Sequence, residues 1–139
     1  MTHAKLREIA SKSADDPKRA ILDQLPDISD LEIFHNQVMV ATYIRPERTA
    51  GGIFIPDKTL AEDRFQGKVG LVVKIGPLAF KDDAVAKFGG VEIQEGDWVF
   101  YRASDGMEFF SKDRTGGVPC RIFEDTQIKG RVSDPAMLW

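Results

Sequence analysis

The spacing of hydrophobic residues changes near residue 32 and divides the chain into a helical part and a stranded part. Between residues 2 and 14 apolar side chains recur at helical spacing. Asp16 before Pro17 predicts the start of a second short helix, which runs to about Leu25. The apolar side of this helix is narrow, so we expect it to lie on the outside of the molecule or against a neighbouring subunit.

After residue 32 the hydrophobic period is two, which predicts half-buried strands. Aliphatic residues alternate along residues 37–41 and 69–75, and a further strand is expected around residues 121–123. The turn sequence Ser104-Asp105-Gly106 separates two aromatic runs and predicts a tight hairpin. Short strands without long intervening helices favour an antiparallel barrel or sandwich.

A long polar connection over residues 45–66 interrupts the stranded part and contains the apolar triplet Ile53-Phe54-Ile55. Gly51 and Gly52 directly precede the triplet. The triplet could be a hairpin edge that packs on the chain's own core. Alternatively, it could dock into a groove on another protein, as mobile recognition segments do. The residues alone leave both interpretations open.

A second interruption covers residues 77–95. The sequence from Asp82 to Phe88 has weak helical character, and Gly89-Gly90 would end such a helix. We therefore expect this region to be more helical than stranded.

Composition and charge exclude several classes of protein. The 139 residues carry a formal net charge of −3, which provides no large basic field for a nucleic acid. No apolar run approaches the ~20 residues of a membrane span, so we expect a cytoplasmic protein. A single cysteine, Cys120, excludes an internal disulfide, and its spacing from His35 suggests no metal site. We find no catalytic motif, and adjacent acids such as Asp82 and Asp83 are typical of solvated turns.

Five segments follow one another along the chain: HNQVMV (35–40), TAGGIFIP (49–56), GKVGLVVKIGP (67–77), EGDWVFY (95–101) and RIFEDTQIKG (121–130). In this order they resemble the first barrel strand, the mobile loop, the return strand, the Gly-Asp strand and the C-terminal segment of one family. This is the GroES-like family of small co-chaperonins, which close the folding chamber of the large double-ring chaperonin.

The resemblance implies a mainly β fold: a GroES-like antiparallel β-barrel over residues 31–139 with an N-terminal helical extension over residues 1–30. Residues 45–66 would be the mobile loop and residues 77–95 a modified roof region. The implied chaperonin-binding residues are Ile53, Phe54 and Ile55, and the implied loop hinge is Gly51 and Gly52.

The function that the resemblance implies is a co-chaperonin that caps the chaperonin ring and assists ATP-dependent protein folding. Its partners would be the chaperonin and further copies of itself, with a heptamer expected, and neither nucleic acid nor a membrane. No catalytic residue, metal or cofactor is implied, because the partner binds and hydrolyses ATP.

The N-terminal extension and the apolar C-terminal tail depart from the usual family pattern and are similar to the elaborations of divergent bacteriophage-encoded members. Such a protein would act in the host cytoplasm. An alternative is a GroES-like structural protein of a virus particle, a capsid decoration or assembly subunit, because a fold does not determine a function. Less favoured alternatives are a zinc enzyme, which needs ligands that the chain lacks, and a nucleic-acid-binding barrel.

Overall fold

The computed structural model describes residues 17–43, 68–84, 86–112 and 117–138. In these ranges one helix, α1 (Pro17–Gln24), accompanies a six-stranded antiparallel sheet. The strands are β1 (Gln37–Thr42), β2 (Val69–Ile75), β3 (Trp98–Phe100), β4 (Met107–Lys112), β5 (Gly117–Glu124) and β6 (Gly130–Val132). Short 3-10 helices span Asp125–Gln127 and Pro135–Leu138. The prediction of a mainly β, antiparallel fold is confirmed.

The strand order in the sheet is β4-β5-β1-β2-β3-β6, so β1 and β2 are central and β4 and β6 lie at the edges. Gly106 adopts the positive φ (82°) expected of a turn residue. However, β3 pairs with β2 and β6, whereas β4 pairs with β5. The predicted tight hairpin between β3 and β4 is therefore wrong, because both sides of β3 are already occupied and the chain crosses to the opposite edge.

One side of the sheet, which we call the strap face, carries large apolar residues beneath the N-terminal segment. Met39, Leu71 and Trp98 belong to one buried cluster with Leu22 of α1 and Leu25. The last two side chains are only 1% and 2% exposed. The apolar side of α1 thus packs on this chain's own sheet. This second cover explains why β1 is buried on both faces instead of half-buried.

Lys74 binds the segment that follows α1 to the sheet through hydrogen bonds. The ammonium group of Lys74 on β2 donates hydrogen bonds to the carbonyl oxygens of Ile28, at 2.8 Å, and Leu31. Two backbone carbonyls outside regular structure thereby gain a charged donor, which is a strong form of hydrogen bond. The N-terminal segment is consequently held to the sheet by polar as well as apolar contacts.

The opposite side of the sheet, which we call the roof face, carries smaller residues such as Val40 and Val72 and is covered by Ala79, Phe80 and Ile93. Tyr101, which follows β3, packs on Phe123 of β5 with ring centroids 4.7 Å apart. Because β1 and β2 lie between these two strands, the contact requires the sheet to curl toward this face. Gly70 leaves room for the contact, since a Cβ there would lie 2.8 Å from that of Val40 and 3.0 Å from the Tyr101 hydroxyl.

The described residues of the 77–95 region form turns and no helix, so the helical expectation for Asp82 to Phe88 is wrong. The side chain of Asp82 accepts a hydrogen bond from the amide of Phe88, at 2.7 Å. Such side-chain bonds compete with helical ones. Gly89 and Gly90 both have positive φ (62° and 81°) in a turn closed by the Val91 amide and the Phe88 carbonyl, 3.0 Å apart. This pattern is that of the type I′ turns that favour hairpins.

Candidate partner-binding site

The segment that contains the predicted chaperonin-binding residues begins and ends at one point of the sheet. Thr42 of β1 pairs with Gly70 of β2, and the Tyr43 amide donates a hydrogen bond of 2.9 Å to the Val69 carbonyl. The 24 residues from 44 to 67 thus connect two adjacent positions, at what we call the loop end of the sheet. The predicted contact residues Ile53, Phe54 and Ile55 and the predicted hinge Gly51 and Gly52 lie outside the described residues.

The base of this connection is anchored by buried aromatic packing. Tyr43 is 5% exposed and lies edge-on to Trp98, with ring centroids 5.7 Å apart. On the other side, the carbonyl of Lys68 accepts a hydrogen bond of 2.9 Å from the amide of Tyr101. A buried aromatic side chain at one attachment point and a backbone hydrogen bond at the other give the connection a fixed origin.

Chain length determines how far the triplet can extend from this origin. Phe54 lies eleven residues after Tyr43. A chain extends at most about 3.3 to 3.6 Å per residue, so Phe54 can reach up to about 35 Å from the sheet. The connection is therefore long enough to contact a separate molecule.

The opposite end of the sheet, the roof end, is held by a buried carboxylate. Asp125, only 4% exposed, accepts hydrogen bonds from the side chain of Asn36, at 3.0 Å, and from the amide of Phe80, at 2.9 Å. Phe80 has a positive φ of 62°, which is unfavourable for a bulky residue. Asp125 thus fixes the start of the 77–95 region to the end of β5. Sequence reasoning missed this role, because burial cannot be inferred from the two adjacent acids Glu124 and Asp125.

Arg121 lies buried beneath the connection from β3 to β4. Its guanidinium is 1% exposed and donates to the carbonyl oxygens of Ala103, at 2.5 Å, and Asp105, at 2.7 Å, and to the carboxylate of Glu108. It also lies over the Tyr101 ring, 5.4 Å from the centroid. A single side chain therefore supports the crossover that the sequence predicted to be a hairpin.

Two titratable groups near this cluster stay protonated. Burial raises the pKa of the Tyr101 phenol to about 12, although the Arg121 charge acts in the opposite direction. Burial also raises the pKa of the Cys120 thiol to about 12. Cys120 is 1% exposed and belongs to the core of the strap face. A protonated, enclosed thiol is a poor nucleophile and a poor metal ligand.

The described ranges contain no group of three His, Cys, Asp or Glu side chains that could hold a metal ion. Helix α1 is too short to cross a membrane, and no other helix in the described part of the chain is long and apolar enough to do so.

Comparison with known proteins relates this arrangement to one family. The sequence model of the family described as "Chaperonin 10 Kd subunit" matches residues 30–117, which is more than half of the chain. The matched range contains β1 to β4, the connection over residues 44–67 and the roof region.

Two bacterial relatives match over a longer range. The chain is 31% identical over 100 residues to "Co-chaperonin GroES 3" of Bradyrhizobium diazoefficiens and 32% identical over 100 residues to "Co-chaperonin GroES 2" of Rhodopseudomonas palustris. Each match covers 72% of this chain and 86% of the relative. With the antiparallel sheet and the extent of the family match, these similarities show that the chain belongs to the chaperonin 10 family.

Proposed function

We propose that this protein is a co-chaperonin that caps a chaperonin ring and assists ATP-dependent protein folding in the cytoplasm. The proposed contact residues are Ile53, Phe54 and Ile55, with Gly51 and Gly52 as the hinge of the loop. We further propose that the protein acts as a homo-oligomer, expected to be a heptamer, and that the partner binds the ATP. Both relatives named above are co-chaperonins, which supports this function.

The observation that carries the proposal is the closed base of the 44–67 connection. The hydrogen bond from Tyr43 to Val69 joins its two ends. Helix α1 covers one face of the flanking strands, and Ala79, Phe80 and Ile93 cover the other. The described core thus has its own covering elements on both sides. An apolar triplet on a long polar connection is then better suited to a surface on another protein.

The energetics favour several weak contacts over one strong contact. Burial of each large apolar side chain contributes roughly 1.5 to 3 kcal/mol, whereas ordering each backbone residue costs about 1 to 2 kcal/mol. One loop of this length should bind weakly. Loops on a common ring make later contacts intramolecular, which can raise the apparent affinity by about 10²- to 10⁴-fold. A ring of copies therefore gives a lid that binds well and can still be released.

The substitution Phe54→Asp tests the proposed contact. A carboxylate in an apolar groove is strongly unfavourable, so we expect the variant to lose capture by a purified double-ring chaperonin in the presence of ATP. Native mass spectrometry should show the same oligomer as in the unchanged protein, because the substitution lies outside the described core.

The matched control is Thr59→Asp, which introduces the same charge into the same connection at a polar position. We expect this variant to be captured normally. Retained capture of the Phe54→Asp variant would contradict the proposed contact. Co-purification with virus particles, without capture by a chaperonin, would contradict the proposed function.

A further inference from the structure

We propose that four exposed cations at the loop end form a docking surface for an acidic surface on the chaperonin. This inference rests on the proposed function and adds the chemistry of the partner to it. We call the four residues the basic rim. Its members are Lys68, Arg102, Lys112 and Lys129, all of which are exposed.

Backbone hydrogen bonds bring three of these residues together. The bond from the Tyr101 amide to the Lys68 carbonyl, 2.9 Å long, places Arg102 next to Lys68. On the other side of β3, the Lys129 amide donates a bond of 2.8 Å to the carbonyl of Phe100, which pairs with Val69. The three cations thus occupy adjacent strand positions around the start of β2, where residues 44–67 rejoin the sheet.

The fourth cation reaches the same end through the pairing of β4 with β5. Lys112 pairs with Gly117, the first residue of β5, which lies three residues before Cys120. Cys120 in turn pairs with Ala41, the penultimate residue of β1. The end of the β4–β5 pair therefore extends to the level at which the 44–67 connection leaves β1.

The distribution of charge makes the rim distinctive in a protein of net charge −3. Within the described ranges, none of the four residues forms an ion pair. No carboxylate lies within two residues of Lys68, Arg102 or Lys129 along the chain, whereas Asp113 follows Lys112. Residues 77–97, which begin at the roof end, contain five acidic residues and two lysines. The basic rim and residues 77–97 thus differ in the sign of their excess charge.

The 44–67 connection cannot supply this positive charge, because its four basic and four acidic residues cancel. The rim is the source of positive charge in the described part of the loop end. Exposed charges of this kind act mainly on the rate of association and are screened by salt. We therefore assign capture and orientation to the basic rim and retention to the apolar triplet.

The test compares two double variants that remove the same number of positive charges. Lys68→Gln with Arg102→Gln alters the rim, whereas Lys81→Gln with Lys87→Gln alters exposed lysines in the 77–95 region. Association with an immobilised double-ring chaperonin is measured by surface plasmon resonance with ATP present. At low ionic strength, we expect the rim variant to associate about tenfold more slowly than the unchanged protein. The control variant should associate at the unchanged rate.

The salt dependence provides a second readout. At about 1 M salt, where the Debye length is about 3 Å, the association rates of all three proteins should converge. Equal rates for the rim variant and the unchanged protein at low salt would overturn the inference and leave the proposed function intact. The same holds if the two double variants are slowed equally, since net charge alone would then explain the effect.

Two further outcomes separate this inference from its alternatives. If the unchanged protein is not captured at any salt concentration, the proposed function fails and the inference fails with it. The rim variant could instead lose salt-dependent binding to a single-stranded oligonucleotide while its association with the chaperonin is unchanged. The basic rim would then be a nucleic-acid-binding surface, and the inference would be overturned.

Discussion

At the scale of single residues, the connection from β3 to β4 depends on a few buried polar side chains. Arg121 satisfies two backbone carbonyls and one carboxylate at once. Glu108 keeps 38% of its side chain exposed, so the pair is not isolated from water. The neighbouring Tyr101 ring contacts both this guanidinium and the ring of Phe123. Such a cluster specifies a particular route for the chain, because each alternative route would leave the guanidinium without its partners.

Tyr101 should make the stability of the protein depend on alkaline pH. Its pKa is about 12 in the folded protein and about 10 in the unfolded chain. The unfolded chain therefore releases its phenolic proton first. The stabilisation from the protonated phenol is complete below about pH 10 and is lost as the pH rises toward 12. At about pH 11, we expect the free energy of unfolding to have lost about 1.4 kcal/mol through this group.

Urea unfolding of the unchanged protein and of Tyr101→Phe, at about pH 8 and pH 11, measures this contribution. The phenylalanine variant keeps the ring but has no proton to lose, so its stability should fall less between the two values. Cys120 also has a raised pKa, but it is present in both proteins and cancels in the comparison. Equal losses of stability in the two proteins would show that Tyr101 does not titrate as proposed.

At the scale of elements, the buried carboxylate of Asp125 should keep the start of the 77–95 region in place. Replacement by alanine removes the acceptor of the Asn36 side chain and of the Phe80 amide. It also leaves the unfavourable backbone of Phe80 without its compensating bond. We expect Asp125→Ala to lower the free energy of unfolding by about 3 kcal/mol. Hydrogen exchange at the Phe80 amide should become much faster.

The control for this element is Asp134→Ala. The side chain of Asp134 accepts a hydrogen bond of 3.0 Å from the Ala136 amide, but in an exposed turn. We expect a change in stability within about 0.5 kcal/mol, as for other surface positions. If exchange at the Phe80 amide is unchanged in Asp125→Ala, the carboxylate does not hold the region.

The elements also show how far a sequence predicts this fold. Period-two patterns correctly predicted strands around β1 and β2, but the expectation that these strands are half-buried was wrong, because both of their faces are covered. The patterns could not predict that α1 covers the strap face of these strands, because the narrow apolar side of α1 could pack on any apolar surface. The partners of β3 were also missed. A turn signal at Gly106 indicates where the chain bends, but strand pairing depends on contacts with β2 and β6.

The candidate site also combines features that the sequence reveals with features that depend on the fold. The glycine pair and the apolar triplet are local features, and the family resemblance that they support is shown. The positions of Lys68, Arg102, Lys112 and Lys129 around one end of the sheet are not local. They follow from the pairing of β3 with β2 and of β4 with β5, which no spacing along the chain reveals. The roles proposed for residues 51–55 remain predictions.

At the scale of the whole molecule, the curled sheet carries different features at its two ends. The loop end carries the attachment of the 44–67 connection and the basic rim, and the roof end carries the Asp125 contacts and the start of the 77–95 region. The core between them is buried on both faces, so the two ends are joined by a rigid unit. In the proposed oligomer, each rigid unit would hold one loop in a fixed position relative to those of the other copies.

This geometry predicts how mixed oligomers of unchanged and Phe54→Asp chains should behave. If each loop contributes to a shared avidity, every inactive loop removes one intramolecular contact and lowers the affinity of the whole ring by a further factor. Capture by the chaperonin should therefore fall much more steeply than the fraction of unchanged chains. If loops bound independently, capture would fall in proportion to that fraction.

The measurement titrates the two chains against each other after unfolding and joint refolding, with native mass spectrometry to confirm random mixing. Capture at a fixed chaperonin concentration is then plotted against the fraction of unchanged chains. Mixtures with Thr59→Asp chains serve as the control and should show constant capture, because refolding and mixing are the same and the apolar triplet is intact. A straight line for the Phe54→Asp mixtures would mean that single loops bind on their own. The ring would then have to serve some purpose other than avidity.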